Sequence, residues 1–114
     1  MQGREFVDRY YSFLAERDID GIATLYDDDA EIVRYDGVAA TIDEIRAYHE
    51  SYLARNGSIR LQSVDQLREA DDVLMFDALV DTDLGVLQAV HVIVFDPNGK
   101  VRRHIPGMRG FWGQ

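Results

Sequence analysis

From residue 58 onward the sequence divides into four apolar, β-branched stretches, at about 58–69, 72–82, 86–96 and 100–108. The turn-like compositions "ADD", "DTDLG" and "DPNGK" separate them. Connections this short join strands only antiparallel, because a parallel return needs a crossover of a dozen residues or more. The second half of the chain is therefore committed to an antiparallel sheet. Its third stretch, "LGVLQAVHVIVFD", reads as a packed strand interrupted by one imidazole, His91.

The first half carries helical spacing instead. Phe6, Val7, Tyr10, Phe13 and Leu14 form one apolar stripe over residues 3–17. Asp18 can cap a second helix, "IDGIATLYDD", that buries Ile19, Ile22, Ala23, Leu25 and Tyr26. "AEIVRYDG" then reads as a short strand ending at Gly37. "TIDE" opens a third helix, with Thr41 as cap and Glu44 three residues on, and Asn56–Gly57 closes it. Its stripe is Ile42, Ile45, Tyr48, Tyr52 and Leu53.

The order α-α-β-α-β-β-β-β predicts an α+β fold, three N-terminal helices wrapped against one curved antiparallel sheet. Such an arrangement is cone-shaped and leaves a cavity. A chain of 114 residues suffices for one core, so residues 1–114 are expected to form a single domain.

A formal net charge of -9 disfavours nucleic acid and anionic membranes as partners, since phosphates would be repelled. The absence of cysteine excludes disulfides, thiolate catalysis and zinc–thiolate centres. "MQGREFVDRYYSFLAERD" has no apolar core like that of a signal peptide, and no run approaches the ~20 apolar residues of a membrane span. A cytoplasmic protein is expected. The three histidines lack close metal-ligand spacing, no phosphate-binding loop is present, and no metal or cofactor is expected.

Period-two alternation sorts the strands into faces. Leu74, Phe76, Ala78 and Val80 share one face; Val73, Met75, Asp77, Leu79 and Asp81 share the other. Leu87, Ala89, His91, Ile93 and Phe95 lie on one face of the next strand. A turn centred on Leu84 sets Asp77 opposite His91, where a carboxylate could orient the imidazole as a general base. A turn at Asp83–Leu84 slips the register by one and sets His91 opposite Phe76. His91 could equally be a core histidine bonded to a backbone carbonyl. His104 could face the cone with Pro106 and Met108, or stand exposed beside Arg102 and Arg103. His49 reads as the edge of its helix stripe. The many aromatic residues suit a mostly apolar pocket for a flat, oxygenated ligand, with Tyr35, Tyr52, Leu79, Met108 and Trp112 among its lining. Val90, Val92 and Val94 need a cover on the other face, which suggests a homodimer through the sheet.

"VDRYYSFLAERDIDGIATLYDDDAEI", with "GKV" in the last hairpin, resembles the nuclear transport factor 2-like proteins, which include ketosteroid isomerases and SnoaL-like polyketide cyclases. The element order agrees over nearly the whole chain. The resemblance implies that Tyr10 and His91 match the two groups that donate to the isomerases' developing oxyanion. It also marks a departure. Where the isomerases carry a catalytic aspartate, this sequence has Arg34, which cannot take a proton from carbon. The steroid isomerase route is therefore not expected, and Arg34 could anchor a substrate carboxylate or enolate, pair with Asp77, or stand as a solvated strand end. Two classes of function follow: a cofactor-free acid/base enzyme on a small hydrophobic carbonyl or polyketide-like compound, or a non-catalytic binder with the same hollow. An epoxide hydrolase would require Arg34 and Asp77 to hold a water between them.

Overall fold

The computed structural model describes residues 3–113. The chain runs α1 (Gly3–Glu16), α2 (Ile19–Ala23), β1 (Tyr26–Arg34), β2 (Gly37–Ala39), α3 (Ile42–Asn56), β3 (Ile59–Ala70), β4 (Val73–Thr82), β5 (Gly85–Phe95) and β6 (Val101–Gly113). The six strands form one sheet in the order β2-β1-β6-β5-β4-β3. All neighbours are antiparallel except β1 and β6, which run parallel. The last strand thus lies inside the sheet, joining the strand that follows the first two helices to the β3–β5 meander.

Helix α1 buries Phe6, Val7, Tyr10, Tyr11 and Leu14. Tyr11 takes the inward position expected for Phe13, which is only partly covered. The helix ends with Arg17 in the left-handed region at φ 58°. The Arg17 amide donates to the Leu14 carbonyl and the Asp18 amide to that of Phe13, which satisfies two carbonyls left over at the helix end. The Asp18 carboxylate then accepts from the Gly21 amide at 2.9 Å and starts α2. That helix is far shorter than the sequence pattern suggests. Tyr26 already belongs to β1, where it is registered with Val101 across the parallel pair. Buried apolar residues at 22, 25 and 26 keep the helical spacing, and pairing with β6 overrides it from Tyr26 onward.

Helix α3 starts as expected. Thr41 Oγ accepts from the Glu44 amide at 3.1 Å, while Glu44 reaches back to the Ala40 amide at 2.8 Å. At the other end Gly57, at φ 72°, closes it by donating to the Leu53 carbonyl at 2.9 Å.

The β4–β5 turn is Asp83–Leu84, flanked by the Thr82–Gly85 pair. Gly85 sits at φ 145°, where a Cβ would lie 2.2 Å from the Trp112 carbonyl oxygen, so only glycine fits. This turn selects the register that pairs Phe76 with His91 and Asp77 with Val90. Bulges in β3, and between β5 and β6, bend the sheet. The helices cover the face that carries Leu74, Phe76, Ala78, Val80, Ala89 and Ile93, all buried. On the opposite face Val90, Val92 and Val94 are half-buried, while Met75, Ile105 and Trp112 are exposed. Among the described residues no helix is long and apolar enough to cross a membrane.

Candidate active site

A hollow of about 450 Å³ opens between α1, α3, the β1–β2 turn and the ends of β5 and β6. Aromatic and aliphatic side chains make most of its wall. His91 reaches it from the middle of β5, on the inward face that alternation assigns to it. The ring stacks on Phe76 with centroids 4.7 Å apart, as the observed register requires.

Both His91 nitrogens are engaged. Nε2 lies 2.8 Å from the Tyr11 hydroxyl, and Nδ1 lies 2.8 Å from Nε2 of His104. His104 Nδ1 in turn meets the Tyr26 hydroxyl at 2.8 Å. Beside this row, the Tyr10 hydroxyl lies 2.9 Å from Nε2 of His49, whose Nδ1 is 2.9 Å from the Ile45 carbonyl oxygen. Three histidines and three tyrosines therefore form one buried polar cluster under the hollow. Tyr10, Tyr11 and His91 line the hollow itself; Tyr26, His49 and His104 lie behind them.

Burial sets the charge state of this cluster, because a charged ring there would lose its water. Desolvation lowers the pKa of His91 to about 3, with a further push from charge on His49. His49 falls to about 4 through burial, opposed by its bond to the Ile45 carbonyl. His104 is held well below the ordinary histidine value by burial, then by charge on His91 and on His49. Burial likewise raises the Tyr10, Tyr11 and Tyr26 hydroxyls well above the usual tyrosine range. At neutral pH all six groups are uncharged.

Charge enters the hollow from the other side. Arg34 lies over the Tyr48 ring, 4.9 Å from its centroid, and pairs with Asp36 at 3.4 Å. Its Nε is buried with no hydrogen-bond partner, a cost that natural structures rarely carry without a reason. Arg55 shares the same wall. Two guanidiniums against one carboxylate make this corner locally positive in a chain whose net charge is -9.

Several expected site residues lie elsewhere. Asp77 does not orient His91, because the two-residue turn puts it opposite Val90 and on the other face of the sheet. There it pairs with Arg109 at 3.2 Å, beside a separate, open hollow that contains none of the buried cluster. Leu79 points to that outer face too. Trp112 pairs with Val86, is 56% exposed, and does not line the inner hollow. The contact between Arg34 and Asp77 that an epoxide hydrolase would need is not formed, since each has a different partner. Tyr10 faces the hollow as expected, but its hydroxyl serves His49 rather than His91. Tyr35, Tyr52 and Met108 line the hollow, Tyr35 and Met108 at its exposed mouth. His104 is not exposed beside Arg102 and Arg103; it is buried and bonded to His91. His49, read as a stripe edge, is also fully buried.

Sequence reasoning passed over Tyr11 and Arg55, and read Tyr26 and His49 as packing residues of helix stripes rather than as parts of a site. The doublet Tyr10–Tyr11 was the available signal for the first, because adjacent tyrosines on an amphipathic helix can both face inward when its stripe is wide. Among the described residues no group of three or more histidine, aspartate or glutamate side chains is placed to hold a metal ion. The imidazole nitrogens face tyrosine oxygens, a backbone carbonyl and each other.

Residues 7–104 match the family model of the SnoaL-like domain. No curated protein matches the sequence. The fold is shared with solved structures at low identity. A SnoaL-like protein of unknown function from Burkholderia thailandensis is 16% identical over 95% of both chains, with a TM-score of 0.80. A proposed polyketide cyclase from Sinorhizobium meliloti is 12% identical over 94% of this chain and 100% of its own, with a TM-score of 0.78. TerC, co-crystallised with polyporic acid, is 19% identical over 93% of this chain and 90% of its own, with a TM-score of 0.77.

Proposed function

We propose that this chain, which belongs to the SnoaL-like domain family, is a cofactor-independent acid/base catalyst acting on a small hydrophobic carbonyl or polyketide-like compound. Family and fold neighbours support a small-molecule reaction of the cyclase or isomerase type. The observation that carries the finer reading is the Tyr11–His91 pair, 2.8 Å apart, at the buried side of an apolar hollow whose other wall holds Arg34 and Arg55.

The chemistry follows from those groups. A substrate C–H next to a carbonyl gives its proton to the Tyr11 oxygen while the Tyr11 proton passes to Nε2 of His91. The electron pair left behind becomes an enolate, and the new imidazolium and Arg34 balance its charge. Returning the proton at another carbon is an isomerisation; attack of the enolate on a second carbonyl closes a ring. An imidazole whose conjugate acid sits near 3 is a weak base for an ordinary ketone. The reading therefore favours substrates acidified by two carbonyls or by an aromatic system. Arg34, which lines the hollow, anchors the oxygen that becomes negative. Tyr10, Tyr52 and Met108 shape the hollow around it. The outer face of the sheet, with its half-buried valines and exposed Ile105 and Trp112, takes a second copy of the chain in this reading.

The test is deuterium exchange at the central carbon of 1-phenylbutane-1,3-dione in heavy water, followed by NMR. Exchange should run faster with the protein than in buffer and fall at least tenfold in His91→Gln and in Tyr11→Phe. Binding of the diketone without any acceleration would replace this reading with the second one, a non-catalytic binder. One observation favours that alternative: every histidine of the cluster already has its hydrogen bonds filled.

A further inference from the structure

A guanidinium keeps its charge at any ordinary pH and offers five N–H donors, so its partners show what it is for. With 21 aspartates and glutamates against 12 lysines and arginines, carboxylates are plentiful in this chain. Arg4, Arg34, Arg46, Arg60, Arg102, Arg103 and Arg109 each pair with one. Arg17, Arg68 and Lys100 donate to backbone carbonyls, and Arg9 lies over the Phe13 ring. Among the described residues, Arg55 is the one cation with no ion pair, hydrogen bond or aromatic face of its own.

Its position gives that vacancy a meaning. Tyr48, Tyr52 and Arg55 stand at i, i+4 and i+7 of α3, so one face of that helix brings all three to the hollow. Arg34, at the end of β1, lies over the Tyr48 ring. Both arginines and Tyr48 also line a smaller groove between β2 and α3, so the two stand beside the same ring. The only carboxylate on the wall of the hollow is Asp36. It touches Arg34 at 3.4 Å and is 79% exposed, a pair that water weakens. The phenols and the imidazole of the wall are uncharged at neutral pH. Two guanidiniums less one carboxylate leave one positive charge at the edge of an apolar hollow.

We propose that Arg55 is a specificity-determining residue that takes a carboxylate of the substrate, with Arg34 bridging that carboxylate and the reacting oxygen. The substrate class narrows accordingly, to a 1,3-dicarbonyl compound with an apolar tail at one end and a carboxylate at the other. The tail packs against Leu14 and Leu87 within the hollow. The carboxylate stays beside Arg55, which is exposed, and so keeps part of its hydration. That placement matters, because a carboxylate drawn into the apolar interior loses more solvation than a guanidinium returns. A planar guanidinium matches the two oxygens of a carboxylate, and one negative charge matches the surplus. The assignment rests on the hollow being the substrate site, as proposed above, and adds the charge of what enters it.

Two probes of nearly the same shape separate charge from fit: 1-phenylbutane-1,3-dione, and 4-phenyl-2,4-dioxobutanoate, in which a carboxylate replaces the terminal methyl. Isothermal titration calorimetry at pH 7 gives the affinity of each. The wild type should prefer the acid by about tenfold or more, and Arg55→Gln should cut that preference by about fivefold or more. Arg55 is exposed and unpaired, so this variant keeps the fold; Arg55→Lys, with the charge but not the planar fork, should fall between the two. Arg60→Gln removes the same charge from β3, away from the hollow, and should leave the preference as it was. An acid that binds the wild type no better than the diketone overturns the proposal, as does a preference that survives in Arg55→Gln or is lost equally in Arg60→Gln. Calorimetry does not depend on turnover. Acid binding through Arg55 without accelerated deuterium exchange removes the enzyme reading and leaves the carboxylate site standing. Accelerated exchange of the diketone with no preference for the acid does the reverse.

Discussion

Lowering the pH from 7 to 5 is expected to remove about 6 kcal/mol of folding free energy. In the unfolded chain each histidine titrates near its ordinary value of about 6.5. In the fold, His49 stays neutral to about pH 4 and His91 to about pH 3, while burial holds His104 well below its ordinary value. Below about pH 6.5 the unfolded chain therefore binds three protons that the folded chain does not, and stability falls with pH. For one such group the loss between pH 7 and 5 is about 2 kcal/mol, and near pH 5 the three together give a slope of about 4 kcal/mol per pH unit. A domain of this size is usually stable by only about 5–15 kcal/mol, so acid unfolding should set in around pH 5. Urea titrations at pH 7, 6 and 5, followed by circular dichroism, measure the effect. A total loss below about 2 kcal/mol would mean that at least two of the rings take up protons while folded. That would refute the neutral cluster.

Two further outcomes follow from where side chains were found. Asp77→Ala should leave diketone exchange within about twofold of wild type, because Asp77 faces away from the hollow. The stability cost, measured by the same urea titration, should be under about 1 kcal/mol, since its partner Arg109 is 60% exposed. Val92→Asp places a charge in the middle of the outer face and should convert a wild-type dimer to a monomer in sedimentation equilibrium; a monomeric wild type would rule out assembly through that face.

Much of the fold could be read from local pattern. Alternation put His91 on the same side as Leu87, Ala89 and Ile93, and the "TIDE" and "NG" signals bounded α3 correctly. The site was harder for a physical reason. Whether Asp77 or Phe76 meets His91 depends on one residue of turn register, and "DTDLG" allows both. The phenols and imidazoles that matter lie 39, 78 and 80 residues apart, so no local spacing connects them. His104 looked exposed because Arg102 and Arg103 flank it. A break in the β5–β6 register between Val94 and Phe95 disturbs simple alternation there, and His104 turns inward with Val101. Only the resemblance set Tyr10 and His91 in one site, and it named neither Tyr11 nor the rings behind.

The interior placement of β6 bears on how the protein is made. A nascent chain that has emerged only as far as residue 95 can already close the β3–β4–β5 hairpins. Strand β1 has β2 on one edge but nothing yet to link it to the meander, and α1 cannot yet bring Tyr11 against a settled His91. Strand β6 must slot between two waiting pieces, so a chain cut before Val101 should be a protease-sensitive intermediate rather than a slightly trimmed protein.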